Sequence, residues 1–331
     1  MQDIFLPESD PADALLQQLH TVTYVTCEPE LMERILTQAY HLTGSGWITP
    51  DAATRRYLGF GDDHTIAINT FVKKGVGANI AVRVIHIEEK TPAVRAEHLG
   101  LYLGGATLSF PMHDLEAHEK KMNAVGLEST IGVKKMDFAA PTGETYTSAE
   151  IVYKAPDNAF LMGVTRPQIF VPTGPIDETT GIGGPSYSAR CIAKADQTLG
   201  FFRDVLGFEV RRDVVFEVGE KSALMMPEGT RERFIQCFVP GSQTGYLVLM
   251  DHHEATLPSP APGFGPPNRG IVMWSFLTKK IAEVEKRLTD ACATIVQSRA
   301  VRTAPGFPTG ETLIVVDPDG FPIEIVEVTE S

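Results

Sequence analysis

One carboxylate stands alone in an apolar strand near the end of the chain: Glu324, in Phe321-Pro322-Ile323-Glu324-Ile325-Val326. Burying a charge is costly unless it is paired, hydrogen-bonded or bound to a metal, so an inward-facing Glu324 needs a partner. Simple alternation would equally leave it facing water. A second polar cluster, Asp251, His252, His253 and Glu254, ends the strand that begins at Gly245. Neighbours on a strand point to opposite faces, so at most one of these two histidines can face a given site. Arg190, Gln236 and Tyr246 lie on other apolar strands, and Trp274 is flanked by Met273 and, two residues on, Phe276. Arg can hold a carboxylate or enolate through two parallel hydrogen bonds, and a desolvated Glu with a raised pKa can act as a general base. His86 alternates with apolar residues and reads as a surface or satisfied histidine, while His113 and His118, beside or on a helix, read as surface.

The elements that position these groups repeat. A short strand followed by an amphipathic helix occurs at His20–Val25 with Glu30–Leu36, at Ala106–Phe110 with Asp114–Met122, at Ala189–Ala193 with Thr198–Phe208, and at Val272–Leu277 with Ile281–Leu288. Asp114 is an expected helix N-cap, and Gly207 is expected to close its helix in the left-handed conformation. Several β-rich runs follow each helix before the next one appears, which makes βαβββ the repeating unit. The second and fourth units align at their ends, Pro156-Asp157-Asn158 against Pro318-Asp319-Gly320. Asn replaces Gly there, the two residues that best tolerate positive φ. Consecutive units are expected to pair, giving a domain over 1–172, a Gly/Pro/Thr-rich linker over 173–185 and a domain over 186–331. The Pro-rich loop 257–268 reads either as a cover over a cleft or as a plain connector.

Composition narrows the partners. The 331 residues carry a net charge of −13 and contain no basic run, which argues against non-specific binding to nucleic acid or anionic membrane. No apolar run approaches the length of a membrane span, and the N-terminus has no signal-peptide pattern. Four cysteines, Cys27, Cys191, Cys237 and Cys292, show no CxxC spacing and read as buried free thiols of a reducing, cytoplasmic compartment. A small molecule is the expected partner.

Four βαβββ units, the helix Leu199-Gly200-Phe201-Phe202-Arg203-Asp204-Val205-Leu206-Gly207-Phe208, and the Asp317-Pro318-Asp319-Gly320…Ile323-Glu324 close together resemble the vicinal oxygen chelate superfamily, the glyoxalase, bleomycin-resistance and extradiol dioxygenase group. The resemblance covers most of residues 18–329. It implies an α+β fold of four βαβββ modules paired into two cup-shaped mixed-sheet domains, commonly assembled as homo-oligomers, with a divalent metal such as Fe, Mn or Zn inside a cup. Glu324 falls at the family's carboxylate-ligand position. Its histidine companions are missing: the third unit offers Ser186, Tyr187, Ser188 and Arg190 there, and the fourth offers Met273. In the N-terminal half His20 sits at a ligand position, with Thr107 and Met162 at the partner positions. Neither half, so divided, carries the roughly three N, O or S donors that a catalytic metal requires.

The resemblance therefore implies an enzyme acting on a small carbonyl or aromatic compound in the C-terminal cup. Isomerase or lyase chemistry with Glu324 as base fits the missing histidines better than oxygen activation. Arg190, Gln236 and Tyr246 are the other catalytic candidates, Trp274, Met273, Phe276 and His252 the substrate-binding ones. Glu324 and His20 are the candidate metal ligands. A metal-dependent extradiol-type dioxygenase and a non-catalytic binding protein of the bleomycin-resistance type are the alternatives.

Overall fold

The structure is a computed structural model that describes residues 14–77, 79–139, 144–167, 173–252, 257–258, 260, 263–303, 305–307 and 309–328. The first unit comprises β1 (Leu19–Thr26), α1 (Pro29–Arg34) continued by a π-helical turn over Ile35–Ala39, β2 (Thr43–Gly44), α2 (Ala52–Tyr57), β3 (Ile66–Val72) and β4 (Ala81–Ile87). The second comprises β5 (Gly104–Pro111), α3 (Leu115–Ala124), β6 (Lys134–Ala139), β7 (Thr145–Lys154) and β8 (Phe160–Thr165). A two-stranded hairpin, β9 (Ile176–Asp177) and β10 (Ile182–Gly183), leads to the third unit: β11 (Tyr187–Ile192), α4 (Ala195–Gly200) with a π-helical turn over Phe201–Val205, β12 (Glu209–Glu217), β13 (Arg231–Phe238) and β14 (Tyr246–His252). The fourth holds β15 (Gly270–Thr278), α5 (Ile281–Asp290), β16 (Thr294–Thr303), β17 (Thr309–Val316) and β18 (Pro322–Glu327). No helix among the described residues is long and apolar enough to cross a membrane.

Local chemistry explains the element ends. Asp114 caps α3 by accepting a hydrogen bond from the Ala117 amide at 2.8 Å, and Gly207 at φ 76° turns the chain out of the third unit's helix. Asn158 and Gly320 both adopt positive φ, at 61° and 94°, as their alignment required. On α5 the buried residues are Ile281, Val284 and Leu288, one stripe at helical spacing. The α3 stripe is Leu115, His118 and Met122, so His118 is buried between Tyr40 and Tyr153 rather than on the surface.

The pairing of units departs from the expected one. One eight-stranded sheet runs β16-β17-β18-β15-β1-β4-β3-β2 and so joins the fourth unit to the first; the other runs β12-β13-β14-β11-β5-β8-β7-β6 and joins the third to the second. Antiparallel seams make the joins, β1 against β15 and β5 against β11. The expected split into 1–172 and 186–331 thus cuts through both sheets. Nor is the 173–185 segment a loose linker: Ile182 is buried, the His113 amide bonds the Gly181 carbonyl, and Lys73 pairs with Asp177 at 3.3 Å.

The two sheets pack through their helix-bearing faces. Trp274, wholly buried, donates its indole N–H across this layer to the Ser188 hydroxyl at 2.9 Å and packs on Phe202 and Phe321. Where β5 meets β15, a Cβ on Gly105 would lie 2.6 Å from the Ile271 Cβ, so only glycine permits this approach. Arg190 also points into this layer. It forms a buried ion pair with Asp317, reaches Asp319 at 3.7 Å, and lies over the Phe321 ring at 4.8 Å. Of the four free cysteines only Cys191 and Cys237 are buried; Cys27 is half-buried and Cys292 exposed.

Candidate functional site

The face of the first sheet that turns away from its partner is a cup whose centre is Glu324. Ser275 on β15 and Glu324 on β18 are register partners, as are Thr21 and Ser275 across the β1 seam. An irregularity in β1 between Leu19 and Thr21 lies at His20; an inserted residue re-aims side chains locally. Arg83 lies on β4, register partner of Thr23. The β16–β17 hairpin arches across the sheet until Gly306 stands against Thr70 of β3, bringing Phe307 over His20, ring centroids 5.0 Å apart, and over the Arg83 guanidinium, also at 5.0 Å. From α2, Tyr57 enters the same space beneath Arg302, whose guanidinium carbon is 4.8 Å from the ring centroid.

Glu324 is fully buried and saturated with donors. Tyr57 donates to one carboxylate oxygen at 2.7 Å, while Arg83 at 2.7 Å and Ser275 at 2.6 Å donate to the other. Burial alone would push its pKa up; Arg83, with the hydroxyls of Ser275 and Tyr57, outweighs that and holds it below its ordinary value. Arg83 shares the burial, yet its Nε and Nη1 have no partner. His20 bonds the Thr21 hydroxyl through Nδ1 at 2.8 Å, and burial, reinforced by Arg83, lowers its pKa to about 4, so the imidazole is neutral at pH 7.

The resemblance read from the sequence implies a divalent metal in such a cup, and these residues do not suit one. The only carboxylate already faces a guanidinium at 2.7 Å, which repels a dication and occupies the oxygens it would need. The remaining donors are one imidazole and two hydroxyls, short of a catalytic ligand set. Among the described residues no cluster of three or more His, Cys, Asp or Glu could hold an ion.

The second sheet forms another cup. Tyr187 and Tyr246 are register partners and stack with centroids 4.8 Å apart, and Phe238 stacks on Tyr246 at 4.3 Å. The Tyr187 hydroxyl donates to the Met162 sulfur at 3.2 Å. Gln236, Glu232 and His252 line the same face, alternating with residues of the opposite one.

The residues singled out from sequence therefore divide three ways. Glu324, His20 and Met273 share the first cup, Met273 on the same face of β15 as Ser275. Gln236, Tyr246 and His252 belong to the second cup. Arg190, Trp274 and Phe276 lie in the layer between the sheets, with Phe276 edge-on to Phe208, and reach neither cup: a slip of one residue along a strand exchanges its faces. His253 and Glu254 lie outside the described residues. Tyr57, Arg83, Ser275 and Phe307 were not anticipated. Arg83 carried a usable signal, since Val82-Arg83-Val84 places one charge in an apolar strand as Ile323-Glu324-Ile325 does.

No protein-family model matches the sequence, and no curated protein is similar to it in sequence. Solved structures match in fold. Glyoxalase I from Zea mays superposes with a TM-score of 0.59 at 10% identity, covering 94% of this chain and 92% of its own. A candidate dioxygenase from Bacillus subtilis subsp. subtilis str. 168 superposes with a TM-score of 0.61 at 12% identity, covering 96% and 87%. At such identities the likeness establishes the glyoxalase fold in its two-domain, four-unit form, over nearly the whole chain.

Proposed function

We propose that the cup of the first and fourth units is the active site of an enzyme that isomerises or cleaves a small carbonyl compound, with Arg83 in the role of the resident cation. The observation that carries this reading is the pair of buried, unpartnered N–H groups on Arg83. Nε and Nη1 open on different edges of the guanidinium, so a carbonyl oxygen placed against one of them would satisfy it, leaving the other for a second polar group of the substrate, and the donor would hold the oxygen more tightly as it gains charge on enolisation. His20, neutral at pH 7, takes the proton from the adjacent carbon at its Nε2, the ring nitrogen that Thr21 leaves free. The C–H electron pair becomes the C=C bond and the carbonyl electrons move to the oxygen held by Arg83. For a hydroxyketone, returning the proton to the former carbonyl carbon, while the neighbouring hydroxyl passes its proton to the oxygen held by Arg83 and becomes the new carbonyl, completes an isomerisation.

Glu324 is then a positioning residue, not the base first expected of it. Three donors engage its oxygens, which leaves neither oxygen open to take a proton from a substrate carbon. The donor set equally disfavours the dioxygenase alternative, which needs an iron site.

The experiment is proton exchange in D2O, followed by 1H NMR, over a panel of small 2-oxo acids and hydroxyketones. A compound that enters the cup loses its α-proton signal with the native protein. His20→Ala should abolish exchange while leaving Kd within a few-fold, and Arg83→Met should weaken binding itself. Binding without exchange would overturn the catalytic assignment and leave a binding protein.

A further inference from the structure

We infer that the second cup is a separate binding site for a small organic primary amine, whose nitrogen bridges Glu232 and His252. These residues are cross-strand partners on β13 and β14, so their side chains leave the sheet together. Their side chains are 4% and 0% exposed, and Glu232 Oε2 stands 3.8 Å from His252 Nδ1. That distance is too long for a hydrogen bond. Neither atom has any partner, although an orphaned buried acceptor costs about 1–3 kcal/mol.

The chemistry of the gap selects its occupant. Cys191 Sγ lies 3.5 Å from His252 Nε2, and the Gly100 carbonyl accepts hydrogen bonds from both the thiol and the His252 ring. The ring proton therefore sits on Nε2, and Nδ1 is left as a bare acceptor. One nitrogen can stand about 2.8–3.0 Å from each of two acceptors this far apart. A primary ammonium brings several N–H donors to that point together with the positive charge that a buried carboxylate without an ion pair lacks.

The carboxylates around the pair favour a cation, against which Arg95 stands as the opposing charge. Glu150, from β7 on the opposite wall of the curled sheet, adds its like charge to burial in raising Glu232 to about 8. Arg166 acts on Glu150 and on the tyrosines instead, which leaves Glu232 without a counter-ion. Burial, reinforced by Arg95 from the segment between β4 and β5, lowers the His252 ring to about 4 and keeps it neutral. Burial likewise raises the Cys191 thiol, which stays protonated. Val152, Phe160, Ala223 and Met250 belong to the apolar cluster of this cup, so the amine should carry an apolar body.

Benzylamine is the probe and benzyl alcohol its uncharged counterpart, both titrated calorimetrically into the full-length protein at pH 7. Benzylamine should bind and benzyl alcohol should not. Because burial and Glu150 raise Glu232 and an ammonium at Oε2 would favour its ionised form, titrations in buffers of different ionisation enthalpy should report net proton release on binding the amine. Glu232→Gln should weaken binding at least tenfold, the loss of a charge-assisted hydrogen bond. Lys286→Ala, on the exposed face of α5, should bind as the native protein does, and the exchange assay of the first cup uses no amine, so failure of this site and failure of the proposed active site remain distinguishable. The proton-release measurement needs no variant and keeps the test decisive if Glu232→Gln does not fold. Absence of binding, equal binding of the alcohol, no proton release, or full affinity in Glu232→Gln would each overturn the assignment.

Discussion

Replacing Glu324 by Gln keeps the side chain's shape and removes its charge, leaving the Arg83 guanidinium, as buried as its partner, without compensation. Breaking a buried pair from one side costs about 3–5 kcal/mol, because an unpaired charge then remains in a low-dielectric interior. Unfolding entropy is about 2.1 cal/mol/K per residue, or about 0.7 kcal/mol/K for 331 residues unfolding as one cooperative unit. The Tm should therefore fall by about 4–7 °C. Scanning calorimetry on Glu324→Gln, on Arg83→Met and on the double variant Arg83→Met/Glu324→Met gives the measurement. The double variant should recover most of the loss, since well-packed apolar residues replace a buried pair at little cost. Acid titration supplies an independent arm. The folded pKa of Glu324 is held below its ordinary 4.5, so its contribution is present above that value and is lost as pH falls through the folded pKa. Glu324→Gln should lack this loss. A Tm unchanged within about 1 °C, with an unaltered acid limb, would refute the picture of a buried, ionised pair.

Two further predictions concern stability. Gly105→Ala should destabilise by about 1–3 kcal/mol or more, read as a lower urea midpoint, because the new methyl meets the Ile271 main chain and Cβ where the sheets cross. His118 is buried and its pKa is lowered from 6.5 to about 4; the unfolded chain binds the proton more readily, so stability falls as pH drops from 6.5 towards 4. His118→Phe should flatten part of that decline in a series of urea midpoints, and an identical pH profile would exclude His118 as a contributor.

The repeating unit was legible in the sequence because each unit has its own strand, helix and turn signals, down to Asn158 replacing Gly320 at a position of positive φ. Which units pair was not legible. Nothing in a strand's alternation says which edge it meets, and the seam between β1 and β15 joins residues about 250 positions apart in sequence, a contact governed by tertiary packing. The same mistake separated His20 from Glu324, which face one another in a single cup. Arg83 could have been found by the rule that found Glu324, that a lone charge among buried apolar neighbours requires an opposite one. Arg190 failed for the converse reason: it has its opposite charge in Asp317, but in the layer between the sheets, and a sequence does not distinguish the two faces of a strand buried on both.

The order of the strands also sets an order of assembly. The second and third units are adjacent in the chain, and their sheet can close as soon as both have been synthesised. The first unit must wait, its edge at β1 unpaired, until β15 and the strands after it have left the ribosome. Arg83 therefore can meet Glu324 only after β18 has been made. Among the elements of this fold, the cup that holds them is the last to acquire all its walls, and a chain truncated before β18 would contain the second cup whole and the first one open.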